Sequence, residues 1–178
     1  MPNQPKEDLS ISMLRANMIA FIIALPIAIL QIGGVYRIHG AEAMSPTWPF
    51  LLFVLLLIAS IFIHELIHGL TWAIAAKKPF SSVEYGIQWK MLTPFAHLKE
   101  TVDISAYRMG GLMPGLVLGI IPYIFSLILG DGNLLWFGII HTIAASGDWQ
   151  VLWLIRKVRH GSQVEDHPTR AGCYVMSP

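Results

Sequence analysis

Four stretches of this chain leave it few ways to fold. Residues 16–36, 43–63, 109–130 and 132–155 carry no Lys, Arg, Asp or Glu, with the single exception of Asp148. A bilayer-crossing helix needs about 20 mostly apolar residues, and in lipid the backbone must satisfy its own hydrogen bonds. Charged residues make up 13% of the whole chain, where soluble domains carry about 25%. That balance excludes a disordered chain, a nucleic-acid module and most soluble enzymes. One cysteine, Cys173, excludes a disulfide scaffold and a cysteine-ligated zinc ribbon.

The expected fold is an all-α membrane protein, a single domain over residues 1–178. Its four transmembrane helices are expected near 13–36, 48–76, 106–129 and 133–156, with a tail at 157–178. With four spans, every Lys and Arg except Arg37 falls on one side. The positive-inside rule then places the N and C termini in the cytoplasm, in the inner membrane if the source is bacterial. The first span is too long for a signal-peptide core and follows Glu7 and Asp8, so it reads as a retained helix.

Between the second and third spans, Val83, Tyr85, Ile87, Trp89 and Met91 alternate with polar or small residues. Period 2 predicts a half-buried strand. Thr93-Pro94 reads as a turn, and residues 95–99 as a returning strand. The expectation is a short cytoplasmic β-hairpin at the membrane surface, either a clamp on the helix ends or a dock for substrate.

Ionisable side chains inside a membrane are costly and usually functional. The second span contains His64-Glu65-Leu66-Ile67-His68. On a helix the two histidines lie about 40° apart and one turn apart, so two imidazoles can converge on one metal ion. Glu65 lies on the same side, placed to take a proton from an attacking water. Gly69 would leave room there for water or a substrate backbone.

A catalytic zinc site takes three protein ligands. Asp148 is the strongest candidate for the third, because it is the one carboxylate in the fourth span and lies at a similar depth to His68. Ala144-Ala145-Ser146-Gly147 precede it, and small residues let membrane helices approach closely. His141 is two turns away on the same face and is expected to be a core hydrogen bonder or a cavity wall. His97 could contact substrate. His39, His160 and His167 are expected to be solvated. Gly110, Gly111, Pro114, Gly115, Gly119 and Pro122 would bend the third helix or serve its packing.

The His64–His68 helix, the segment Leu92-Thr93-Pro94-Phe95-Ala96-His97-Leu98-Lys99-Glu100, the later Ser146-Gly147-Asp148 and the tail Asp166-His167-Pro168 with Gly172 resemble the putative zincin peptidase family of small membrane proteins. More distantly the chain is similar to the site-2 proteases. The resemblance implies one Zn2+ held by His64, His68 and Asp148, with Glu65 as catalytic base. It implies a metalloendopeptidase that sits in a lipid bilayer and cleaves a membrane or membrane-proximal protein in or near the membrane, with no nucleic-acid partner. Site-2 proteases carry their Asp after Asn-Pro, whereas here Ser146-Gly147 precedes it. Two other functions fit two His and a carboxylate: a non-haem iron membrane oxidase, and a non-enzymatic metal-binding or partner-binding module.

Overall fold

A computed structural model describes residues 6–89 and 93–176. It is mostly helical, with two small sheets. In chain order the elements are β1 (Lys6–Ile11), α1 (Met13–His39), α2 (Phe50–Ala75), β2 (Val83–Gln88), β3 (Thr93–Leu98), β4 (Val102–Asp103) and α3 (Ile104–Pro114). A π-helical segment, Gly115–Ile120, joins α3 to α4 (Ile121–Leu129). Then come α5 (Gly132–Ala144), α6 (Ser146–Leu154), β5 (Gln163–Asp166) and β6 (Ala171–Met176).

Among the described residues, three helical stretches are long and apolar enough to cross a membrane: Met13–His39, Phe50–Ala75 and Ile104–Leu129. The fourth expected span is not one helix. It breaks at Ala145, where ψ is −7°, and resumes at Ser146. Here the Ser146 hydroxyl donates back to the Ile143 carbonyl, and Ala145 is fully buried. A Cβ on Gly115 would meet Ala145 and the Trp149 indole, so the break sits where α6 fits against the π segment.

The glycines of the third span are contact points rather than hinges. Gly119 faces Thr142, and Gly138 of α5 faces the Gly119 carbonyl. Backbone-to-backbone approach of this kind is what small residues permit between apolar helices. The π segment directly follows Pro114, which has no N–H to give to the helix ladder.

The all-α expectation misses a second sheet. β1, β6, β5 and β4 form it in that order, antiparallel throughout. It unites the segment before α1, the segment before α3 and the tail after α6. The expected tail at 157–178 therefore contributes two strands to this sheet. Each strand is too short and too mixed in polarity to stand out alone, and each is stable only through its neighbours. Gly172 has a φ of +128°, and a Cβ there would strike the Leu9 carbonyl, so β6 can approach β1 only with glycine at this position.

β2 and β3 pair antiparallel, with Tyr85 opposite Ala96 and Glu84 opposite His97. Of the residues that join them, Lys90, Met91 of the expected strand and Leu92 of the family-like segment lie outside the described residues. Thr93 and Pro94 belong to β3 rather than to a turn. Pro94 is in phase with Ala96 and Leu98, whose N–H groups face carboxylates instead of β2. A missing N–H is tolerated on such an outer edge. Below the strands, Leu98, Val83, Trp72, Tyr107, Ile104, Ile155, Val164 and Cys173 form one buried cluster. It fixes both sheets against the ends of α2, α3 and α6.

Candidate metal centre

α2 presents His64 and His68 on its buried face. The two rings lie edge to face, with centroids 4.9 Å apart. α6 brings Asp148 to them: one carboxylate oxygen lies 3.2 Å from His64 Nε2, the other 3.5 Å from His68 Nε2. One ligand atom from each of the three residues lies within 4.8 Å of the others. The approach is not a direct pairing of the second and fourth spans through small residues. α2 packs mainly on α3, while α6 packs on α1 and α3. Asp148 reaches in from the first turn after the helix break.

The surroundings hold this arrangement. The His68 Nδ1–H donates to the Gly110 carbonyl at 2.9 Å. That bond fixes the tautomer and leaves the Nε2 lone pair facing Asp148. Trp72 stacks on His68 with centroids 5.3 Å apart and Tyr107 stacks on Trp72. A Cβ on Gly110 would collide with the Trp72 indole, so glycine is needed for the carbonyl to come this close. Two imidazole nitrogens and a carboxylate oxygen are a donor set that suits zinc with an open fourth position.

Glu65 lines the same cavity as the three candidate ligands. The Ala96 backbone N–H is directed at its carboxyl group. Gly69 does not leave room for water. The Tyr85 side chain fills that space, so closely that a Cβ on Gly69 would overlap its hydroxyl. Burial, aided by the Glu65 charge, raises the Tyr85 phenol above its usual range and keeps it protonated.

The cavity has a volume of about 630 Å³, within the usual range for small-molecule and peptide sites. Its walls come from α1, α2, β3, α6 and the β5–β6 turn. His97 lies on this wall with Asp166 beside it. Among the other histidines, His167 also lines the cavity, whereas His39, His141 and His160 do not. His141 is buried and donates from Nε2 to the Ser60 hydroxyl at 2.6 Å, which makes it a core hydrogen bonder. His39 meets the Leu127 carbonyl, and His160 meets the Ser105 hydroxyl. His167 is not solvated: its Nδ1 accepts from the Thr169 and Arg170 N–H groups, and its Nε2 faces the Tyr174 hydroxyl. It holds the β5–β6 turn in shape.

Three contributors escaped the sequence reading. The Gly110 carbonyl and the Ala96 N–H are backbone groups with no residue-type signature. Asp166 lies in a tail that gives no periodic signal, and it is visible only through the Asp-His-Pro run.

A family model described as putative zincin peptidase matches residues 57–162. The chain belongs to this family. The matched region contains most of α2 with its two histidines, the β2–β3 pair, α3 and α6 with Asp148. β1, β5 and β6 lie outside it. No curated protein and no solved structure matches the chain, and the expected similarity to site-2 proteases is not shown.

Proposed function

We propose that the chain is a zinc-dependent metalloendopeptidase embedded in a membrane. The carrying observation is the convergence of His64, His68 and Asp148 within 4.8 Å of one another, on a cavity that also holds Glu65. Family membership supports the same reading.

One Zn2+ would be held by His64 Nε2, His68 Nε2 and the Asp148 carboxylate. When bound, zinc supplies Lewis acidity that activates water and polarises a carbonyl. The protein's residues do the rest. Asp148 offsets the positive charge gathered between the histidines. Glu65 takes a proton from the attacking water and hands it to the departing amine nitrogen. The Ala96 N–H holds the Glu65 carboxylate in place until then. Helix packing around Trp72 and Tyr107 keeps His68 in one rotamer.

Membrane embedding is supported by the outer faces of α1 and α2. Leu14, Phe21, Ile22, Leu30, Phe50 and Leu51 are all exposed, and in water such a surface would aggregate. Lys77, Lys78, Lys99, Arg108, Arg156, Lys157, Arg159 and Arg170 all lie between strands or in the segments and helix ends that join the apolar helices to the strands, which supports a cytoplasmic position for both termini. We take α5 and α6 together as the fourth crossing, broken at the site. The substrate is then an extended segment of a membrane or membrane-proximal protein, entering from the strand side.

The test is Glu65→Gln in purified protein and in cells. Peptide hydrolysis should vanish while zinc stays bound, and full-length substrates should accumulate in the membrane proteome. Loss of zinc together with activity would make Glu65 structural. Iron rather than zinc in the purified protein would favour oxidase chemistry.

A further inference from the structure

Asp166 collects three donors. One carboxylate oxygen accepts from His97 Nδ1 at 3.0 Å and from the Leu98 N–H at 3.3 Å. The other accepts from the Tyr107 hydroxyl at 2.9 Å. These donors come from β3 and α3, while Asp166 ends β5. The carboxylate side chain is 13% exposed and so held that it has one orientation. With Nδ1 committed to it, the His97 ring has its Nε2 edge left for the cavity that His97 lines together with Glu65, His64, His68 and Asp148. A link between two strands could use any donor. A histidine adds a second nitrogen that can carry a proton into the cavity.

We propose that His97, oriented by Asp166, donates its Nε2–H to the scissile carbonyl oxygen of the substrate. Negative charge on that oxygen grows as water adds to the carbonyl carbon, and a cationic donor fixed in advance stabilises it. His97 itself makes and breaks no covalent bond. The water oxygen bonds to the carbon, the carbon–nitrogen pair leaves on nitrogen, and the proton that Glu65 removed from water goes to that nitrogen. His97 is then a catalytic residue and Asp166 a positioning residue. This assignment rests on the peptidase reading above.

The charge environment favours the cationic imidazole. The hydrogen bond to Asp166 is the largest influence and raises the His97 pKa above its usual value. Partial burial opposes it, and the charges of Asp166, Glu84 and Glu165 add to the rise. Glu84 faces His97 across the β2–β3 pair. Glu65 on α2 and Arg170 in the β5–β6 turn share the cavity. A raised pKa means that the donor form is complete at lower pH and is lost as pH rises through the shifted value.

The test uses a phosphinic tripeptide, whose tetrahedral anionic centre imitates the carbonyl after water addition. Its affinity for the full-length, zinc-loaded protein in detergent is measured by calorimetry across pH, with zinc content determined in parallel. Wild type should bind it, and His97→Ala should bind about 10- to 100-fold more weakly with zinc retained. Wild-type affinity should fall as pH rises through the His97 titration, and His97→Ala should lack that limb. His97→Gln, a neutral donor, should recover part of the affinity without the limb. Asp166→Asn should move the limb to lower pH.

Equal affinity and equal pH dependence in wild type and His97→Ala would overturn the proposal and leave the peptidase reading standing. Loss of zinc in His97→Ala would also overturn it, by making His97 a support of the metal site. Failure of zinc-loaded wild type to bind the phosphinate would defeat the peptidase reading, and the proposal with it.

Discussion

Gly110 couples packing to the metal centre, and Gly110→Ala tests that coupling. The added Cβ would overlap the Trp72 indole. Trp72 is 6% exposed, stacks on His68 and donates to the Tyr107 carbonyl, so it has little freedom to retreat. Overpacking of this kind costs about 1–3 kcal/mol. If the ring stays, helix packing absorbs the strain and stability falls by that amount. If the ring yields, His68 moves with it, and its 2.9 Å bond to the Gly110 carbonyl lengthens.

Loss of such an orienting bond lowers metal affinity about 10- to 100-fold, or about 1.4–2.8 kcal/mol. The two outcomes are of the same size, so strain relieved in one assay should appear in the other. Zinc affinity by chelator competition and unfolding by denaturant, both in the same detergent, together read the total. Gly110→Ala with wild-type values in both would refute the argument that this glycine positions His68.

Asp148→Ala should reduce zinc affinity by more than about 100-fold, beyond the range seen for outer partners; full zinc occupancy would remove Asp148 from the ligand set. Gly69→Leu should push Tyr85 off α2 and destabilise the protein by about 1–3 kcal/mol, measured by denaturant unfolding; unchanged stability would show that the Tyr85 contact is dispensable. Burial, reinforced by Asp166 and Asp8, pushes the Cys173 thiol up to about 12. It should therefore resist maleimide at pH 8 in the folded protein and react on unfolding; rapid stoichiometric labelling of folded protein would contradict its place in the core.

The site was more legible than the fold. His64 and His68 stand out because an apolar helix gives polar residues nothing to hide among, and their four-residue spacing fixes a shared face. Asp148 stands out for the same reason. The break at Ala145 was not legible, because Ala-Ala-Ser-Gly is compatible with a continuous helix, and the interruption sits where Ala145 and Trp149 pack against Gly115. The strands of the tail were missed because Gln163–Asp166 and Ala171–Met176 are short and mixed in polarity. Their order depends on distant pairing: Ala171–Met176 pairs with Lys6–Ile11, and Gln163 and Val164 pair with Asp103 and Val102.

The sequence by itself determined the apolar spans and the residue types that can hold a metal, because both follow from local composition and helical spacing. Tertiary structure decided which groups complete the site. The Gly110 carbonyl that aims His68, the Ala96 N–H that meets Glu65, and the Asp166 carboxylate that holds His97 act through chain segments far apart in sequence. Two of these are backbone groups, shared by nearly all residue types, so only their positions in space distinguish them.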